Sequence, residues 1–308
     1  MTLPMQIATE APSSFRSSAV RPGALGLIRE ALAETFGRRR LIRHLISADI
    51  RRKGSDTLLG NVWWVLDPLL QMTVYLILLS VILRRSTPDF PLFLFAAILP
   101  WKWFASSIND AVSSVVRQER LIKQVQFPKV VLPVSAVAAE VLNLAFGFVI
   151  VLLMLAVFFP AHATINVLWL PVIAAVQFVF TLGLALLVSA INVFYRDVGI
   201  LSGHLIRLWF FLSPAIWSFD SSAGRFGAIE EALGEAGVSL LRANPFAVLL
   251  TAYRDVIYGR VNEAGDGFTP GQSPDLIALG MLLLLSIGLL ILGTIIFKRL
   301  EPAFAKVL

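Results

Sequence analysis

Leu276-Ile-Ala-Leu-Gly-Met-Leu-Leu-Leu-Leu-Ser-Ile-Gly-Leu-Leu-Ile-Leu-Gly-Thr-Ile-Ile-Phe297 contains no charged residue. As a helix rising ~1.5 Å per residue, such a run crosses the ~30 Å hydrocarbon core of a bilayer. Four more runs share its length and character, and a fifth carries His204 and Arg207. Val167–Phe194 is uncharged, Val134–Phe159 holds only Glu140, and Val62–Leu83 is interrupted by Asp67 and Pro68. Phe90–Val116 contains Pro100, Lys102 and Asp110, and Val198–Phe219 is the run with the histidine and arginine. In lipid the backbone must satisfy its own hydrogen bonds, which demands helices. A transmembrane barrel alternates apolar and polar residues and does not produce continuous runs. The expected fold is therefore an all-α polytopic membrane protein with six transmembrane helices, at about 62–83, 90–116, 134–159, 167–194, 198–219 and 276–297.

Composition agrees. Of 308 residues, 57% are hydrophobic and 15% charged, with a mean hydropathy of +0.79. A soluble domain is about half apolar and a quarter charged, so a soluble enzyme and a disordered chain both fit poorly. The absence of cysteine excludes disulfides, thiolate metal sites and cysteine nucleophiles. Net charge is +6. A membrane protein accumulates such an excess on its cytoplasmic side, and nucleic acid need not be invoked as a partner.

The ends and loops divide the chain further. Residues 1–24 lack an uninterrupted apolar stretch, being broken by Glu10, Pro12 and Arg16. They read as a flexible cytoplasmic leader rather than a signal peptide. Over 25–61, Leu25, Ile28, Leu32 and Phe36 recur at helical spacing among Arg38, Arg39, Arg40, Arg43, Arg51, Arg52 and Lys53. This predicts an N-terminal amphipathic interface helix or helix pair, serving as an anchor on anionic membrane lipid, a packing face for a cytoplasmic partner, or both. With the N-terminus inside, most Lys and Arg fall on the cytoplasmic side, and Arg84, Arg85, Arg225, Arg242, Arg254 and Arg260 fall outside. Both termini are expected in the cytoplasm. Between the fifth and sixth spans, Asp220–Pro274 includes the short apolar stretch Pro245–Tyr253. Such a stretch is too short to cross and predicts re-entrant or interfacial helices, acting as an outer gate or as plain interfacial structure.

Catalytic signatures are missing. No G-x-x-x-x-G-K-[ST] phosphate loop, G-x-G-x-x-G, H-E-x-x-H or G-x-S-x-G occurs, so the chain has no recognisable enzymatic centre. His44, His162 and His204 are far apart in sequence, and no metal site is expected. Energy from ATP, if used, must come from another chain. One loop suggests where. Glu119-Arg-Leu-Ile-Lys-Gln-Val-Gln-Phe127, following Arg117, predicts a short charged helix with Leu121, Ile122 and Val125 as a small apolar face, stopped by Phe127-Pro128. Such a face suits docking in a partner's groove; a solvated loop that only enforces orientation is the alternative.

The segment Glu119–Pro133 resembles the coupling-helix region of type-2 ABC (ATP-binding cassette) permeases that export polysaccharide. Further stretches are similar to the same family: Asp49–Trp64 leading to Asp67-Pro68, Leu99-Pro-Trp101, Asn192-Val-Phe-Tyr-Arg-Asp197, and Asn244-Pro245 with Arg254. The resemblance runs over about Leu41–Leu308, and the leader before Leu41 departs from it. It implies a six-span type-2 transmembrane domain over 62–308. It also implies a half-transporter in the bacterial inner membrane, with a second copy of itself and a separate ATPase subunit that binds ATP and magnesium. No cofactor is expected in this chain. The cargo implied is a lipid-linked glycan such as O-antigen or capsule, or more distantly teichoic acid. Glu119, Arg120, Leu121, Ile122, Val125 and Phe127 would couple to the ATPase, joined by Arg196 and Asp197 at the fourth-to-fifth junction. Asn244, Pro245 and Arg254 would belong to the outer gate.

Within the spans, Trp101, Lys102, Trp103 and Trp209 are candidates for a substrate channel, because sugar rings stack on indoles. Core packing is the alternative for the tryptophans. Intramembrane charges need partners or a cavity, and Glu140–Arg207 and Asp67–Lys102 are the expected pairings. Competing functions are a type-2 exporter of small hydrophobic compounds, an ion-driven secondary transporter, and a membrane glycosyltransferase. The secondary transporter would need midplane ion sites and repeats, and the glycosyltransferase a carboxylate-rich face.

Overall fold

The computed structural model describes residues 23–54, 59–82, 89–219, 226–261 and 268–308; all but the end of the expected leader lies outside them. The described chain is almost wholly helical. It runs α1 (Ala24–Gly37), α2 (Arg39–Gly54), α3 (Trp63–Leu76), α4 (Phe90–Arg117), α5 (Glu119–Gln124), α6 (Val131–Val157), α7 (Leu170–Phe194), α8 (Asp197–Leu212), α9 (Phe226–Arg242), α10 (Pro245–Ile257) and α11 (Leu276–Val307). A two-residue antiparallel ribbon, β1 (Arg260–Val261) and β2 (Phe268–Thr269), joins the last two helices.

Among the described residues four helices are long and apolar enough to cross a membrane: α4, α6, α7 with its leading turn from Ile165, and α11. They coincide with the second, third, fourth and sixth expected spans. The first is represented by α3, which continues through a π-turn over Ile77–Ile82. The fifth is represented by α8, which stops at Leu212 rather than at Phe219. Pro214 explains the early stop. A proline disfavours helical backbone in the residue before it, and Ser213 is extended, at φ −105° and ψ 150°.

Buried at the centre, α4 is surrounded by α3, α6, α7, α8 and α10. Lipid is as apolar as leucine, so helices in a bilayer associate through close packing and interhelical hydrogen bonds. Both are visible. Gly183 of α7 and Gly293 of α11 let two backbones touch: a Cβ on Gly183 would lie 2.6 Å from the Leu290 nitrogen, and one on Gly293 2.4 Å from the Gly183 carbonyl oxygen. On α7, Gln177 donates to the Pro100 carbonyl at 2.8 Å, and Asn192 donates to that of Val112 at 2.9 Å. Two buried amides thus set the register of α7 on α4.

The apolar stretch between the last two spans forms α10, and it is buried against protein. Its start is level with the middle of α4, where Phe246 meets Phe104 at 4.4 Å and Trp101 at 4.7 Å. Its end is level with the start of α4, where Tyr258 meets Phe93 at 5.5 Å. Thirteen residues span that half-depth at ~1.5 Å each.

Candidate functional site

One end of the bundle carries α5, the α7–α8 turn and the last turns of α11. Ile122 of α5 is buried in an apolar cluster with Val115, Val130, Phe297 and Phe304. Leu121 and Phe127 are half-buried and Val125 is exposed. The expected apolar face is therefore divided: Ile122 seats the helix, and Val125, just past its end in extended backbone, points out. Lys123 donates to Glu119 at 2.7 Å and to the Leu308 carbonyl at 2.6 Å. The Glu119 carboxyl is held below its usual value, first by the Lys123 hydrogen bond and charge, then by Arg196 and Arg120. Arg196 therefore stands near α5, although far from it in sequence. Arg196 and Asp197 are both exposed, at the start of α8.

Beside α5, a cavity of about 1210 Å³ lies between α1, residues 122–129 and the end of α11. Its floor is an ion cluster. Lys298 contacts Glu301 at 2.7 Å, Glu34 at 2.8 Å and Glu30 at 3.2 Å, and Glu301 accepts the Lys129 backbone N–H at 2.6 Å. Burial pushes the Glu34 carboxyl above its usual value, against the pull of Lys298. This cluster fastens α1, through its buried Leu27 and Ala31, to α11.

A second ion cluster fastens α2. Lys53 at its end pairs with Glu140 of α6, with Asp110 of α4 at 2.5 Å and with Asp49 at 3.3 Å. Glu140 also accepts from Asn143 at 2.7 Å. The expected Glu140–Arg207 pair is therefore not formed: Glu140 meets a cation from the interface region, and Arg207 stands exposed on α8. Burial alone would lower the Lys53 pKa, but the carboxylates of Glu140 and Asp110 raise it above the ordinary lysine value. Oxygen atoms of Asp49, Asp110 and Glu140 come within 4.8 Å of one another, and the Lys53 ammonium supplies the positive charge among them. The Asp67–Lys102 pair does form.

The four candidate channel residues do not share one surface. Trp101 is buried among Phe104, Phe210 and Phe246, with Trp209 edge-on at 6.3 Å. Trp209 donates from Nε1 to Asn244 at 2.8 Å. Lys102 and Trp103 instead line a cavity of about 560 Å³ with Lys53, Asp67, Asp110 and Glu140. The Trp103 Nε1 there has no hydrogen-bond partner among the described residues.

The candidate gate residues do come together. Asn244 caps α10 by accepting the Phe246 N–H at 3.0 Å and donates to Ser213 at 2.9 Å. Pro245 occupies the first turn, where its missing N–H costs nothing. Arg254 is buried and donates to the carbonyls of Trp217 (3.1 Å), Pro214 (2.8 Å) and Ala215 (3.3 Å), and it lies 3.9 Å over the Phe93 ring. The three residues close the non-helical segment after α8 over α10. His162 adds a tie that sequence reading placed only in a loop. It bridges Asp89 at 2.8 Å and the Tyr258 carbonyl at 2.6 Å, and stacks on Phe268 at 3.6 Å.

The described residues thus form an all-α bundle with four helices long and apolar enough to cross a membrane. Residues 40–228 match the ABC-2 type transporter family model, and the chain belongs to that family. It is 30% identical over 274 residues to the O-antigen export system permease protein RfbA of Myxococcus xanthus, covering 89% of this chain and 97% of that one. A Klebsiella pneumoniae protein of the same name is 26% identical over 265 residues, covering 86% and 93%. The polysialic acid transport protein KpsM of Escherichia coli is 21% identical over 268 residues, covering 85% and 94%. Helix α1 precedes the family-matched stretch.

Proposed function

We propose that the chain is the membrane permease of an ATP-driven exporter that moves a lipid-linked polysaccharide, of O-antigen or capsule type, across the bacterial inner membrane. The observation that carries this reading is the end-to-end similarity to the Myxococcus O-antigen export permease, in a chain with no phosphate loop of its own. Two copies form the pathway. Each has six spans, α3 with its π-turn, α4, α6, α7, α8 and α11, with α10 as a re-entrant gate helix. Both termini lie in the cytoplasm, since α5, Arg196 and the Lys298–Arg299 pair share one end and carry the basic excess. Helices α1 and α2 lie at that interface.

A separate ATPase subunit, which holds the ATP and magnesium, docks on α5 and the Arg196–Asp197 turn. Val125, Leu121 and the Glu119–Lys123 pair meet the partner, and Ile122 transmits the push into the bundle through the cluster around Phe297. Asn244, Pro245 and Arg254 hold the outer gate. Trp101 and Trp209 shape the pathway wall from behind, and Lys102 and Trp103 face the smaller polar cavity.

The test is co-purification with the bacterial ATPase subunit in detergent, reading mass and ATP turnover. A two-plus-two complex is expected for the parent chain, and its loss in the Leu121→Asp, Val125→Asp double variant. A stable lone monomer that never recruits an ATPase sinks the reading.

A further inference from the structure

Helix α8 carries at mid-depth a cation, Arg207, that has no counter-ion among the described residues. Its depth is set by ring contacts: Trp209 packs edge-on against Phe104 at 5.6 Å and lies 6.3 Å from Phe180. Those two residues stand near the middles of α4 and α7. Arg207 is two residues earlier, ~3 Å along the helix axis. His204 lies a further turn back. Both are exposed, and neither makes a hydrogen bond or ion pair with the described residues. They share one stripe with exposed Ile200, Leu208 and Phe211.

Other faces at this depth are different. The exposed residues of α6 include Leu142, Phe146 and Val149, and those of α11 Ile287, Ile291 and Leu292. Such faces suit lipid. An arginine at the bilayer centre is costly against hydrocarbon and belongs on a protein or water-filled surface. Lys102 satisfies that rule through Asp67; among the described residues nothing does so for Arg207.

A second copy resolves this, on the exporter reading above. In a two-fold dimer one patch faces its own duplicate. Two Arg207 side chains brought toward an axis repel each other unless water or an anion lies between them. The guanidinium fork matches a phosphate in bidentate geometry. We propose that the α8 stripe of His204 and Arg207 lines a water-filled conduit between two copies and binds the phosphate-ester group that links the cargo to its lipid. Arg207 makes the principal contact, and His204 adds a second donor one turn toward α5.

The chain has no cysteine, so single introduced thiols report accessibility cleanly. The intact complex with its ATPase would be placed in phosphatidylcholine nanodiscs and labelled with a membrane-impermeant maleimide. Leu208→Cys is expected to react at least tenfold faster than Val149→Cys on α6. Undecaprenyl diphosphate is expected to slow the Leu208→Cys reaction at least threefold, and phosphatidylglycerol to leave it unchanged. Adding Arg207→Gln should abolish that protection, and Arg207→Lys should retain part of it. Complex mass confirms that each variant assembles.

Equal labelling at the two positions overturns the conduit. Protection that survives Arg207→Gln overturns the arginine contact, and equal protection by phosphatidylglycerol assigns Arg207 to bulk lipid headgroups instead. Failure of the parent complex to assemble strikes the exporter reading, which the mass measurement separates from these outcomes.

Discussion

The two ends of the bundle are held together by different forces. At the α5 end the ties between distant elements are ionic: Lys298 gathers Glu30, Glu34 and Glu301, and Lys53 gathers Asp49, Asp110 and Glu140. The Lys298 ties sit around a cavity of about 1210 Å³ with the exposed Val125, and the Lys53 ties beside one of about 560 Å³. At the opposite end the ties run largely to backbone carbonyls and aromatic rings: Arg254 to three carbonyls and Phe93, and His162 to the Tyr258 carbonyl and Phe268, with Asp89 on its other nitrogen. Ion pairs beside a cavity can exchange partners. A buried guanidinium spread over three carbonyls has one arrangement. The contrast teaches that motion should enter through the α5 end and be resisted by the α10 end.

The sharpest way to break that contrast is Arg254→Ala. It leaves three carbonyls unsatisfied, and a hydrogen bond to a charged group is worth ~1.5–3 kcal/mol. A loss on the order of 3 kcal/mol or more is expected, read as a lowered thermal midpoint in detergent. Arg254→Lys should not restore it, because an ammonium does not reproduce the fork. A midpoint within error of the parent would mean that the α10 end is not the stiff one.

Next is Glu140→Ala. Removing one partner of a buried pair typically costs ~3–5 kcal/mol. Here Lys53 keeps Asp110 and Asp49 and is partly exposed, so about 2 kcal/mol is expected, with Glu140→Gln closer to the parent. Chemical denaturation in mixed micelles would measure it. An effect equal to that of Arg254→Ala would erase the difference between the ends.

Asn244→Ala should cost about 1–2 kcal/mol, since it removes a helix cap worth ~1 kcal/mol and strands the Trp209 N–H. Trp209 fluorescence should shift with it, and Asn244→Asp should recover most of the loss, because it keeps the oxygen that accepts both bonds.

The smallest effect is expected at Glu34. Its folded pKa is raised, chiefly by burial. A raised carboxyl contributes stability that is present below the unfolded value of 4.5 and is lost as pH rises through the folded value. Glu34→Gln should therefore be neutral or slightly stabilising near pH 7, with its difference from the parent shrinking on acidification. A thermal midpoint that falls in Glu34→Gln at pH 7 would show that the Lys298 contact outweighs burial there.

Much of this was legible in the chain itself. Long continuous apolar runs announce helices because the backbone in lipid must satisfy its own hydrogen bonds, and the short stretch at Pro245–Tyr253 announces a helix too short to cross, re-entrant or interfacial. The charged helix at Glu119 was legible, although it ends at Gln124, before the expected stop at Phe127-Pro128. The partner of Glu140 was not. Lys53 reads in sequence as one more basic residue in an amphipathic anchor, and nothing in its neighbourhood says that it reaches 87 residues forward. His162 was similarly opaque, since a loop histidine carries no sign of the Tyr258 carbonyl waiting for it. The early end of α8 had a local signal, Pro214, which the length of the largely apolar run Val198–Phe219 outweighed.

By itself the sequence determined that the chain is helical and which four stretches are long and apolar enough to cross a membrane, because these follow from length and hydropathy, which are properties of consecutive residues. Only the tertiary structure decided which charges meet, which half of α5 faces inward, how α10 packs against α4 and which face of α8 leaves Arg207 exposed. Those depend on the rotation and depth of one helix against another, and such quantities are set by side chains that meet across gaps of tens to hundreds of residues.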